Sequence, residues 1–338
     1  MEKTSETVFL ALSQAEDAVS RLDERVRACL FRQGWIARLN YTEASAWGWT
    51  SGNIVSAEDL VLHDHAMDVR LPDQSLRASR GLVRARVKAS KAGPELVSTD
   101  GVSWLIGARK DPPIADGFRA SRSIEPDPAD LDRPDVSIRL AARLRALAQG
   151  TTESADEGVA EWLGLLQEHE REVPLLLHAA AALEAWSIID PLPRHPYVGP
   201  IIVSHWLRGR KRVQTHLLGI ESGVRAHARK RRDAFATAPA ARLAYWLRVI
   251  GEAADQGMAE LHRLELARQV MTQHAQGRRS HSHLQSVIDL LLARPVVTAP
   301  LLAETLRLSQ TSARRLVDAL GSSVTEISGR SRFRAWRA

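Results

Sequence analysis

The residues able to do chemistry are few and scattered: one cysteine, twelve histidines, and arginines gathered in two places. Cys29 falls in an apolar helical pattern with Val26 and Leu30, the usual setting of a buried, unreactive thiol. A single cysteine gives neither a disulfide framework nor a thiolate metal site. Two histidine pairs stand two residues apart, His63 and His65 in HDH, His281 and His283 in HSH. Side chains at i and i+2 do not share a helix face, and no third ligand accompanies either pair. Both read as solvated loop histidines, the second in a linker. His195, in RHPYVGP, is the one weak candidate for a catalytic base. No glycine-rich phosphate loop, nucleophile elbow or zinc-spaced cluster accompanies it. The chemistry expected is therefore not catalytic, with no cofactor and no metal.

The arginines carry more information. The chain has a net charge of +6 over its 338 residues and a pI near 9.9. From Arg294 to Ala338 eight arginines face three acidic residues, and from Arg208 to Arg232 nine basic residues face one. Positive charge concentrated in this way points to a polyanion partner. The run 208–232 reads equally as an extension of that footprint or as a solvated helix face.

The stretch LSQTSARRLVDALG, Leu308–Gly321, places Ala313, Leu316, Val317 and Leu320 on one helix face. Gln310, Thr311, Ser312, Arg314 and Arg315 project the other way. Before it, LQSVIDLLLAR forms a helix ending at Pro295, and VVTAPLLAETLR opens with Thr298 as N-cap and Pro300 in the first turn. Ser309 caps the next helix, and Gly321 stands where a left-handed residue belongs. Two short helices joined by so tight a turn make a helix-turn-helix. The following VTEISGRSRFRAW alternates in period two about Ser328-Gly329-Arg330, so a β-hairpin wing is expected. Its arginines, Arg330, Arg332, Arg334 and Arg337, are placed to meet phosphates. A helix reads base edges in the major groove, while wing arginines fix register on the backbone. Double-stranded DNA is the expected partner, through Gln310, Thr311, Ser312, Arg314, Arg315, Arg330, Arg332 and Arg334.

The rest of the chain must carry this reader. The class is mainly α: an N-terminal helical region over 1–110, a proline-rich linker over 111–134, a helical bundle over 135–276 holding about six helices from Gly158 on, a linker over 277–283, and a winged helix-turn-helix over 284–338. No run approaches the ~20 apolar residues of a membrane helix, and the first residues do not read as a signal peptide. A cytoplasmic protein with no membrane partner is expected. The bundle would supply a homodimer interface or sense a ligand or partner, its effector unknown. The alternative to DNA is an adaptor that binds only protein.

Two resemblances add to this reading. PVVTAPLLAETLRLSQTSARRLVDALGSSVTEISGRSRFRAW resembles the C-terminal winged helix of many bacterial Fic-type proteins and related regulators, with LRLS where those carry LGVS. Arg307 thus replaces a glycine in a left-handed turn, at roughly 1 kcal/mol. SAEDLVLHDHAMDVRLPDQSLRASRGLVRARVKA, PLLLHAAAALEAW and RLAYWLRVIGEAADQGMAELHRLELARQVM resemble a rhizobial-type bacterial family in which a domain of unknown function precedes a helix-turn-helix. EDLVLHD and the winged helix are the most specific segments, and the resemblance implies a DNA-binding regulator. More distantly, RHPYVGPIIVSHWLRGRKR is similar to the Fic loop, HPF followed by Asp-Gly-Asn-Gly-Arg, whose His is a general base. His195, Pro196 and Tyr197 match its start; Val198, Gly199 and Pro200 stand where the phosphate anchors belong. The resemblance implies a Fic-like body with a dead site, lacking the stabilisation phosphoryl transfer requires. The alternative it raises is a divergent Fic-type nucleotidyl transferase that modifies a protein through His195.

Overall fold

A computed structural model describes residues 2–67, 73–113, 154–168, 173–228, 238–276, 281–329 and 334–338. Among them the helices are α1 (Glu2–Ala28), α2 (Arg32–Thr50), α3 (Ala57–Asp64), α4 (Gln74–Lys91), α5 (Thr99–Ile106), α6 (Ala155–Gln167), α7 (Leu175–Ile189), α8 (Val198–Gly209), α9 (Ile220–Ala226), α10 (Pro239–Ala275), α11 (His281–Ala293), α12 (Ala299–Leu306) and α13 (Gln310–Asp318). Strands β1 (Val297–Thr298), β2 (Thr325–Glu326) and β3 (Ala335–Arg337) complete a mainly α chain. The expected linker over 111–134 lies almost entirely outside the described residues. The chain divides into two compact units, Met1–Glu24 with Gly81–Gln256, and Arg25–Arg80 with Gly257–Ala338.

The first unit is built on α7, whose LLHAAAALEAW run, Leu176–Trp186, is buried on every side, as a helix apolar all round must be. α6 packs on it through Trp162, whose indole N–H donates to the Ala182 carbonyl at 2.8 Å. Two arginines satisfy its backbone carbonyls, the half-buried Arg208 those at a helix end and the buried Arg86 those in the loop before α9. The last four carbonyls of a helix have no partner within it, and a guanidinium supplies several donors at once. Arg208 donates to the carbonyls of Ala89, Ser90 and Ala92 at the end of α4, at 3.1, 2.8 and 3.2 Å. Arg86 donates to those of Leu217 and Leu218, both at 3.0 Å. Arg212 is held by the Glu16 carboxylate, and Arg210 lies over the Trp206 ring. Much of the described basic run is therefore built into the fold instead of forming a free face; 229–232 lie outside the described residues.

The second unit holds the winged helix together with α2, α3, the first part of α4 and the last part of α10. α2 meets α11 so closely that Gly34 has no room for a side chain: a Cβ there would stand 1.8 Å from the Leu292 carbonyl oxygen. One turn on, the buried Arg38 donates to Leu291, Leu292 and Arg294 carbonyls at 2.7, 3.0 and 2.7 Å, closing the C-terminus of α11. A cation at that end also faces the negative pole of the helix. Burial lowers the Arg38 guanidinium to about 10, with Arg263 and Arg337 acting in the same direction and Glu260 against them.

Several local expectations change in the fold. Cys29 is half-buried, its thiol pushed up chiefly by burial. HSH is not linker: His281–His283 open α11. In HDH, His63 and Asp64 end α3 and His65 caps it, its Nδ1 2.8 Å from the Val61 carbonyl oxygen. Neither pair gathers a metal-binding group among the described residues.

Candidate nucleic-acid interface

The helix-turn-helix is set by backbone chemistry that the sequence displays locally. Thr298, in extended conformation, accepts the Leu301 N–H at 3.3 Å, with Pro300 in the first turn of α12. That helix stops at Arg307, which adopts φ 55°, ψ 45°, the left-handed conformation expected at the departure from glycine. The Leu308 N–H reaches back to the Ala303 carbonyl at 2.9 Å, closing the turn in the manner of a helix C-cap. Ser309 then accepts the Ser312 N–H at 3.1 Å and opens α13.

On α13 the faces separate as the spacing requires. Ala313, Leu316 and Val317 are buried, and Gln310, Thr311 and Arg315 are exposed. Ser312 and Arg314 are half-buried, the Ser312 hydroxyl standing 2.9 Å from that of Ser309. Ser312 is thus engaged in the cap, while Gln310, Thr311 and Arg315 form the open part of the face. Gly321 takes φ 62° after the helix, and Gly329 takes φ 62° in the wing.

The wing is a three-stranded antiparallel sheet in the order β1-β3-β2, one strand more than a hairpin. β3 pairs Arg337 with Thr325 and Trp336 with Glu326 on one side, and Trp336 with Val297 on the other. Strict alternation of arginine and apolar faces is not observed on β3, because Ala335 and Trp336 are both buried. Arg330 and Arg332 lie outside the described residues. Arg334 is exposed, whereas Arg337 pairs with Glu58 at 2.8 Å. Sequence reasoning passed over Arg38, Gly34 and Glu58, which hold this unit together. The available signal was an arginine inside the apolar run GWIARL, four residues after a glycine.

The loop around His195 gives a contrasting site. His195 Nδ1 lies 3.0 Å from the Tyr197 hydroxyl. Burial, aided by Arg194, lowers the imidazole, and burial raises the Tyr197 phenol to about 12. Val198, Gly199 and Pro200, at the start of α8, are all buried. The Trp186 indole lies against Gly199, where a Cβ would come within 2.4 Å of the ring. The same indole donates to the Pro196 carbonyl at 2.8 Å. The first turn of α8, the position that would cradle phosphates, is therefore covered by tryptophan.

Comparison with known proteins bears on both sites. A family described as "HTH DNA binding domain" matches residues 284–337, and one described as "Protein of unknown function (DUF1612)" matches residues 148–276. The uncharacterized protein y4cF of Sinorhizobium fredii (strain NBRC 101917 / NGR234) is 30% identical over 359 residues, spanning 94% of this chain and 93% of that protein. The crystal structure of a Fic family protein from Desulfovibrio desulfuricans G20 shares the fold with a TM-score of 0.51. That likeness covers 98% of this chain and 95% of that one at 12% identity, and it is a likeness of fold alone.

Proposed function

The chain belongs to the family of the Sinorhizobium fredii protein y4cF and carries a helix-turn-helix DNA-binding domain over 284–337, and on that premise we propose that it is a sequence-specific DNA-binding transcriptional regulator. The observation that carries the proposal is α13 itself: capped by Ser309, seated on Ala313, Leu316 and Val317, and open on Gln310, Thr311 and Arg315. Short polar side chains at a helix N-terminus, with Arg315 on the same face in its last turn, suit base edges in the major groove. Arg314 flanks this face, and Arg334 extends it as a phosphate contact. As a homodimer the protein would set two such helices on paired half-sites, with the helical body holding the dimer or a ligand.

The test is binding of the full chain to random and own-promoter duplexes over a salt series. Arg315→Ala is expected to lower specific affinity by about 1–3 kcal/mol, as Arg314→Ala is if that flanking residue also reaches a base, and Arg334→Ala to reduce the salt slope by about one while sparing discrimination. If none of these variants alters binding, this face does not read DNA.

The Fic-like fold favours one second reading, nucleotidyl transfer through His195. Against it stand the missing anchors and Trp186 over the first turn of α8. Labelled nucleotide and magnesium, with a candidate protein substrate, test it. Modification that disappears in His195→Ala would establish the activity.

A further inference from the structure

EDLVLHD, from Glu58 to Asp64, carries one of the most specific resemblances in the sequence, and the reading of α13 gives it no task. It forms most of α3, capped by Ser56, whose hydroxyl accepts the Asp59 N–H at 3.0 Å. Its inward side chains point to the wing. Val61 forms an apolar cluster with Val296, just before β1, and Ala335 on β3, and Ile327 packs against it. Glu58 Oε1 lies 2.8 Å from Arg337 Nη1. The far end of α3 is anchored separately: Asp64 accepts the Tyr41 hydroxyl at 3.2 Å and pairs with Arg80. α3 is therefore fastened to α2 and α4 at one end and to β3 along the other.

A cavity of about 120 Å³ opens among α2, α3, α10 and the wing. Of its charged side chains, Arg337 is matched with Glu58 and Arg263 with Glu260, the latter at 2.7 Å, while Arg38 is engaged by the carbonyls at the end of α11. Arg263 also donates to the Ala338 carbonyl at 3.0 Å. Each of these charges is engaged within the protein, so the cavity reads as the seam of a docking surface rather than as a ligand pocket.

The charge of Arg337 bears on DNA directly. An arginine already facing a carboxylate brings little net positive charge to a phosphate and displaces few counterions there. We propose that α3 is the seat of the wing, with Glu58 a positioning residue that holds β3 in place through Arg337. Arg337 is then a structural tie and not a phosphate contact, and the DNA-reading module is discontinuous, residues 25–80 with 257–338. This rests on the DNA-binding reading.

A charge swap in the full chain separates the two roles. Glu58 and Arg337 side chains are 43% and 42% exposed, so substitution there spares the core; the melting temperature of each variant is followed separately. Binding is read as anisotropy of a labelled own-promoter duplex over a salt series. Glu58→Arg and Arg337→Glu are each expected to weaken binding by about three- to tenfold, in line with disrupting one favourable ion pair and creating a like-charge contact. The double variant Glu58→Arg/Arg337→Glu is expected to recover to within about twofold, with an unchanged salt slope. A swap that stays as weak as Arg337→Glu alone, with the slope reduced by about one, makes Arg337 a phosphate ligand and overturns the proposal. So does a Glu58→Arg variant that binds as well as the parent. A parent chain that binds no duplex even at low salt overturns the DNA reading and the positioning role with it, whatever the swap does to the melting temperature.

Discussion

Gly34→Ala sets two large effects of opposite sign against each other. On an exposed helix, alanine in place of glycine stabilises by about 1 kcal/mol, through chain entropy and helix propensity. Here the new Cβ would lie 1.8 Å from the Leu292 carbonyl oxygen and 2.7 Å from the Ala293 carbonyl carbon. Both are backbone atoms, so no side chain can swing aside. Restoring ordinary contact requires α2 and α11 to part by about 1.5 Å. That displacement also stretches the three bonds from Arg38 to the end of α11, each worth about 1.5–3 kcal/mol when the donor is charged. Overpacking itself costs about 1–3 kcal/mol, so the net expectation is a loss of about 2–4 kcal/mol. Urea unfolding followed by tryptophan emission reports the sum, since Trp35 adjoins the site. Amide exchange along α11 reports where it falls. A variant as stable as the parent, or more so, would falsify the close docking of α2 on α11.

Three further outcomes are expected. Arg307→Gly relieves a left-handed arginine at φ 55° and should raise stability by up to about 1 kcal/mol, read from the same urea midpoint; a lower midpoint refutes the strain. Ser309→Ala removes the α13 cap and should cost about 1 kcal/mol, with DNA affinity falling as the first turn frays; an unchanged midpoint counts against the cap. His216 is buried, and burial together with Arg86 lowers its imidazole to about 3 from the ordinary 6.5, while Asp23 stands 4.0 Å off. The folded state then prefers the neutral ring, so the associated stability is complete above pH 6.5 and is lost as pH falls toward 3. About 2 kcal/mol should be gone by pH 5, and His205, lowered mainly by burial, acts in the same direction. A urea midpoint that holds steady or rises between pH 7 and pH 5 contradicts this assignment.

What could be read from the chain and what could not divide by sequence distance. Thr298, Pro300, Arg307, Ser309 and Gly321 act on backbone within a few residues of themselves, and each adopts the conformation its place requires, Arg307 against the preference of its type. The turn survives the loss of glycine because both flanking helices are capped, so Arg307 absorbs the strain. The third strand, Val297–Thr298, was invisible: two residues long, it becomes a strand only opposite Ala335 and Trp336. The basic run misled for a related reason. Charge counting treats every arginine as solvated, yet Arg208 is bound to carbonyls 116 to 119 residues earlier. Arg337 reads from the sequence as a phosphate contact, and nothing near it in the chain signals Glu58 as its partner. In the candidate interface, then, helix faces and caps were legible, whereas the partners that withdraw or position its arginines were not.

The bond between Arg38 and Leu292 spans 254 residues of chain, and this has a consequence during synthesis. At about 5–20 residues per second, α2 leaves the ribosome roughly 13 to 50 s before the carbonyls it must cap exist. Through that interval the part of α2 that meets α11, Gly34 and Arg38 included, waits without its partner. Nascent chains of this protein are thus exposed to holding chaperones or misassociation late into translation. Cutting the gene before residue 284 would also not release a portable reading head, since the piece lost would include the scaffold on which α11 ends.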